Sequence, residues 1–99
     1  MSVQGETREK TRNNLREPKH YRVIMHNDDF TSMEFVVEIL VDIFHKGEAE
    51  AERLMLMVHE SGRAAVGAYP LDIAASKVQT ALGRAKEEGY PFRMTVEEA

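Results

Sequence analysis

At 99 residues the chain has room for one domain around one modest core. Its 42% hydrophobic and 30% charged residues suit an ordinary globular protein, and no apolar run approaches the roughly 18 residues of a membrane span. Net charge is −4; residues 1–19 hold five basic and three acidic groups, so the remainder carries −6, which argues against nucleic acid as a partner and favours a cationic ligand or a basic protein patch.

Cysteine is absent, which excludes disulfides, thiolate zinc sites and cysteine nucleophiles and fits the cytoplasm. Residues 1–17 (MSVQGETREKTRNNLRE) are polar and without useful period, and they lack the apolar segment of a secretion signal. They bury too little surface to offset the entropy of ordering and predict a flexible N-terminal tail, with Pro18 at the boundary of a folded domain over 18–99.

"HYRVIM", rich in aromatic and β-branched residues, predicts a first strand. "HNDDF" follows as a turn. Thr31 is placed to cap a helix over about Ser32 to His45, with Glu34 three residues on completing a capping box. Glu34, Glu38 and Asp42 recur every fourth residue and leave only a narrow solvated stripe, so the rest of this helix requires burial. Gly47 breaks it. "EAEAERLMLMVHES" predicts a second helix, acidic where the helix dipole favours acid, and Gly62 ends it. "RAAVGAY" predicts a strand of small side chains, and Pro70 starts a third helix with Ala74, Val78, Ala81, Leu82 and Ala85 on one face. Gly89 and Pro91 stop it, and "FRMTV" predicts a last strand with Phe92, Met94 and Val96 alternating. The fold class is α+β: a two-layer β-α-α-β-α-β domain with a three-stranded antiparallel sheet covered by helices.

Two clusters carry chemistry. On the second helix Met55, Val58 and His59 share a face at i, i+3 and i+4, beside a more conventional core stripe of Ala51, Leu54 and Val58. That face is either the rim of the core, with a hydrogen-bonded imidazole, or the wall of an apolar pocket with one polar group at its mouth. In the loop, Asn27, Asp28 and Asp29 exceed what helix capping needs, and the surplus oxygens suit a cation or an ammonium group. His26, Asp28, Asp29 and His59 are metal-ligand types, but without the spacing of a zinc or calcium motif. A small metal-dependent or acid–base hydrolase using Asp28 and His59 is one alternative; a generic protein-interaction module without a pocket is another. His20 and His45 read as solvated. Met33, Met55 and Met57 suit either core filling or an adaptable pocket wall.

"NDDFTSMEFVVEIL", "LMLMVHESGRAAVG", "LDIAASKVQTAL" and "YPFRMTVEEA" resemble the ClpS family, from about Pro18 to the C-terminus with almost no gaps. The resemblance implies an adaptor, not an enzyme, acting without cofactor, metal or catalytic residue. It implies binding of N-degrons, polypeptides that begin with Leu, Phe, Tyr or Trp, and their delivery to a ClpA-type or ClpC-type AAA+ unfoldase and its ClpP protease. By the same resemblance Asn27, Asp28 and His59 hold the ammonium. Met33, Val36, Met55, Val58 and Phe92 line the pocket, with Thr31 and Asp29 beside it. Phe30, Asp72 and Lys77 match positions that face the unfoldase. Ser32 stands where proline is usual, Phe30 where tyrosine is usual and Phe92 where leucine is common. The chemistry is coherent: an α-ammonium has three donors, and Asn27, Asp28 and neutral His59 offer acceptors of matching sign. Burying a Leu or Phe side chain contributes roughly 1.5–3 kcal/mol, and each charge-assisted hydrogen bond about 1.5–3 kcal/mol before desolvation. On this view the surplus acid serves a ligand and Thr31 does the capping.

Overall fold

The structure is a computed structural model, and it describes residues 19–99. The tail expected over 1–17 lies outside the described residues. The elements run β1 (His20–His26), α1 (Met33–Asp42), α2 (Glu48–Ser61), β2 (Arg63–Pro70), α3 (Leu71–Glu88) and β3 (Arg93–Glu98), the expected order. The strands form one antiparallel sheet in the order β2-β1-β3. Among the described residues, no helix is long and apolar enough to cross a membrane.

The apolar, β-branched middle of β1 makes it the central strand. Val23 and Met25 are fully buried under the helices. Their partners across the sheet are Gly67 and Ala64 on β2 and Val96 and Met94 on β3. Between Val23 and Ile24 the register slips, and Val66 is the extra residue on β2. A Cβ on Gly67 would lie 2.6 Å from the Tyr69 hydroxyl, so the missing side chain gives the Tyr69 ring its place against Phe44. Across the sheet Arg63 reaches from β2 over β1 to Glu97 on β3, 2.6 Å away, and Ile24 is left 3% exposed.

The helices cover the other face. α1 buries Phe35, Val36, Ile39 and Leu40; α2 buries Ala51, Leu54 and Val58; α3 buries Ala74, Val78, Ala81 and Ala85. Glu34, Glu38 and Asp42 are exposed as their spacing predicts, and Arg84 on α3 reaches toward both Glu38 and Asp42. α2 spans the predicted residues, and Gly62 closes it in the left-handed conformation at φ 92°.

Helix boundaries differ from expectation at several points. α1 is capped by Ser32, whose Oγ accepts from the Phe35 N–H at 3.1 Å. Thr31 does not cap it, because its hydroxyl and its N–H both donate to Asp28. With the cap moved by one residue, Glu34 falls a position short of the reciprocal capping-box site. α1 also ends at Asp42 rather than near His45: His45 takes a left-handed φ of 58°, and the Lys46 N–H turns back onto the Leu40 carbonyl at 3.0 Å. Gly47 instead caps the start of α2, and Pro70 sits at the cap of α3 rather than inside its first turn.

Candidate functional site

The end of β1 delivers the chain into the His26–Ser32 turn at one edge of the helical layer. The Asn27 N–H donates to the Gly62 carbonyl at 2.9 Å, which ties the turn to the C-terminus of α2, where His59 lies. Asp28 organises the rest. Its Oδ1 accepts from the N–H groups of Phe30 (2.8 Å) and Thr31 (2.7 Å), and its Oδ2 accepts from the Thr31 hydroxyl at 2.8 Å. Partial burial pushes the carboxyl up, but these three hydrogen bonds outweigh it and hold Asp28 below its ordinary value. This corrects the picture of surplus acceptors. Asp28 is committed first to its own loop, and Oδ2, with a single donor, retains capacity for one more.

Between this turn, α1, α2 and the start of β3 lies a cavity of about 200 Å³. Asn27, Asp28, Asp29 and Thr31 line it from the turn, Met33 and Val36 from α1, Met55, Val58 and His59 from α2, and Phe92 from the residue before β3. All ten residues expected at or beside a pocket therefore share one cavity. Val36, Val58 and Phe92 are buried, Met55 is half-buried and Met33 is 49% exposed, so the walls are apolar and Met33 stands at the opening. The His59 side chain is exposed and, among the described residues, takes no hydrogen bond, which decides against a core-rim imidazole with a protein partner. An interaction module without a pocket is likewise set aside by this cavity.

His26, read from the sequence only as a metal-ligand type, also lines the cavity. Its Nε2 lies 2.7 Å from the Thr95 hydroxyl on β3. Burial lowers its pKa, and Arg93 and Arg63, its cross-strand neighbours, lower it further against an opposing pull from Glu97. As the last residue of β1 it could have been found from its position against Asn27, but no spacing signal marked it.

Phe30, Asp72 and Lys77 are not at this cavity. Phe30 is 76% exposed, and Asp72 is exposed at the start of α3 beside exposed Leu71 and Ile73. Lys77 turns inward: its Nζ donates to the Ile43 carbonyl at 2.8 Å and lies 5.8 Å and 5.5 Å from the Phe44 and Tyr69 ring centres. A second, more open hollow of about 540 Å³ adjoins the cavity, sharing Met33 and Met55 and rimmed by Glu34, Glu38 and Glu52. Among the described residues no group of three His, Asp or Glu side chains is arranged to hold a metal ion.

A family model described as "ATP-dependent Clp protease adaptor protein ClpS" matches residues 16–95. The chain belongs to the ClpS family. ClpS proteins are adaptors of the Clp protease and not enzymes, so the hydrolase alternative falls. The ClpS of Nitratidesulfovibrio vulgaris strain Miyazaki F is 50% identical over 84 residues, 85% of this chain and 84% of that protein. The ClpS of Treponema denticola is 51% identical over 81 residues, 82% of this chain and 80% of that one. Among solved structures, Agrobacterium tumefaciens ClpS2 bound to L-phenylalaninamide superposes with a TM-score of 0.81 at 37% identity, covering 84% of this chain and all of that one. The three-stranded sheet with its three helices is thus the ClpS fold.

Proposed function

We propose that this chain binds polypeptides that begin with a large hydrophobic residue and a free α-amino group, and passes them to a Clp AAA+ unfoldase for degradation in the cytoplasm. The observation that carries this is one cavity combining apolar walls with a rim of Asn27, Asp28 and His59. The ligand of the related Agrobacterium ClpS2 supports it: L-phenylalaninamide has a free amine, a benzyl side chain and an amide where a peptide would continue.

In this reading the first side chain enters between Met33, Val36, Met55, Val58 and Phe92, and the ammonium meets the rim. The Asn27 side-chain carbonyl, Asp28 Oδ2 and a His59 ring nitrogen accept its three protons. Asp28 is well suited because its loop hydrogen bonds keep it ionised and fixed before the ligand arrives, so little ordering cost remains. An internal peptide bond offers neither the charge nor the three donors. Thr31 and Asp29 complete the loop beside the rim. Residues 18–99 form the adaptor domain, and Phe30, Asp72 and the neighbourhood of Lys77 face the unfoldase, of ClpA or ClpC type. Lys77 serves that face from an inward position, holding α3 against the end of α1.

Fluorescence anisotropy with a Leu-initial peptide, free or acetylated at its N-terminus, tests the reading. The free peptide binds, and acetylation weakens binding by about 100-fold or more, since it removes a charge and leaves the acceptors unpaired. Equal affinity for the two peptides would refute the ammonium site.

A further inference from the structure

Phe92, in the lining of the cavity, packs against a circuit formed by Phe35, Tyr90 and Ser32. Phe92 lines the cavity and is 7% exposed. Its ring meets that of Phe35 edge-on, with centres 5.9 Å apart at 83°. Phe35, 5% exposed, meets Tyr90 in the same manner at 5.0 Å and 60°. The Tyr90 hydroxyl donates to Ser32 Oγ at 3.2 Å, and Ser32 Oγ accepts the Phe35 N–H at 3.1 Å, which closes the circuit. The backbone is held at both ends. The Tyr90 N–H donates to the Ala85 carbonyl at 2.9 Å, Pro91 restricts φ, and Arg93 pairs with His26 in the sheet. Neither Ser32 nor Tyr90 lines the cavity.

We infer that this circuit makes Phe92 a rigid wall that sets the size of first residue admitted, and that Tyr90 and Ser32 are positioning residues for that selection. The inference rests on the reading of the cavity as a first-residue pocket. The residues lining the cavity differ in stiffness. Met33 and Met55 are unbranched, and Met33 is half-exposed, so they adapt to the entering shape. Phe92 has no such freedom, because the Phe35 ring it packs against is itself held edge-on by Tyr90, and retreat would break the Phe92–Phe35 contact. Leu and Phe fit against a fixed wall; Trp, the largest candidate, is the one it limits.

Anisotropy with three free-amine peptides differing only in a first Leu, Phe or Trp tests this in the wild-type chain and in Phe92→Leu, Tyr90→Phe and Ser32→Ala. Phe92→Leu raises the affinity for Trp relative to Leu by about ten-fold, the scale of a small volume change in an apolar pocket. Tyr90→Phe keeps the ring and removes only the hydroxyl; it shifts the ratio in the same direction by about two- to four-fold, as Ser32→Ala does, each loosening the circuit without touching ligand. A purely structural role would lower Tm and weaken all three peptides equally. If Phe92→Leu fails to melt cooperatively, Phe92→Met replaces it with the same expected shift. An unmoved Trp-to-Leu ratio in the folded Phe92 variant, with Leu binding retained, overturns the wall while leaving the pocket reading intact. An unmoved ratio in both Tyr90→Phe and Ser32→Ala overturns their positioning role. If the wild-type chain binds none of the free-amine peptides, the pocket reading fails first and takes this inference with it.

Discussion

Asp28 has two demands on one carboxylate. Oδ1 is used by two backbone N–H groups of its own turn, Oδ2 accepts from the Thr31 hydroxyl, and the residue also lines the cavity. The hydrogen bonds hold its pKa below the ordinary value of 3.8, so its contribution to stability is fully present above that value and is lost as pH falls through the lower folded value. Removing one donor with Thr31→Val should raise the Asp28 pKa toward the unfolded value and shrink that contribution. An NMR titration of the carboxyl in both proteins checks this; an unchanged midpoint would mean the Thr31 hydroxyl does not stabilise the charge. The same residue shows a limit of reading loops from composition. Three Asx residues in a row signalled excess acceptors, but how much of the excess the loop itself consumes depended on backbone directions.

At the scale of the element, α1 carries most of the site and its start is the place where expectation and structure part. Thr31 and Ser32 are both good caps. Which one caps was decided by Asp28, whose turn takes the Thr31 hydroxyl and leaves Ser32 to the Phe35 N–H. Ser32→Ala should therefore destabilise the protein by about 1 kcal/mol, measured by urea denaturation. A neutral result would show that Ser32 is not the working cap. At the other end α1 stops early because its last carbonyls find other donors: Lys46 N–H on Leu40 and the Lys77 ammonium on Ile43, at the negative end of the helix. α2 shows the opposite case. Its boundaries are read from glycines, and its two faces from spacing alone: Ala51, Leu54 and Val58 inward, Met55 and His59 toward the cavity.

In the whole molecule, one core ties the three helices to the sheet, and the site is a gap that core leaves at one end. Ile39 and Leu40 are fully buried at its centre. Leu40→Ala should cost about 2–5 kcal/mol, the range for a large-to-small change in a packed core, and should lower the urea midpoint without changing which first residue is preferred. A change in preference would mean the cavity is not held independently of the central core. Charge also acts at this scale. The body beyond residue 19 carries −6, and Glu34, Glu38 and Glu52 rim the hollow next to the cavity, a negative field that on the proposed reading favours a cationic ligand there.

The order of elements, the limits of α2 and the core faces were legible in the sequence because they depend on local rules, glycine and proline punctuation and a 3.6-residue period; the residues expected at the pocket came from the resemblance of the N-D-D and M-x-x-V-H runs to ClpS, since spacing alone left a core rim and a pocket wall both open. Tertiary structure alone decided which hydroxyl caps α1, that His26 reaches the cavity, that Lys77 points inward, and that Phe92 is backed by Phe35, itself packed on Tyr90. Each of these joins residues distant in the chain or depends on competition between neighbouring donors for one acceptor. Such outcomes follow from where the backbone places each group in space, which local pattern does not encode.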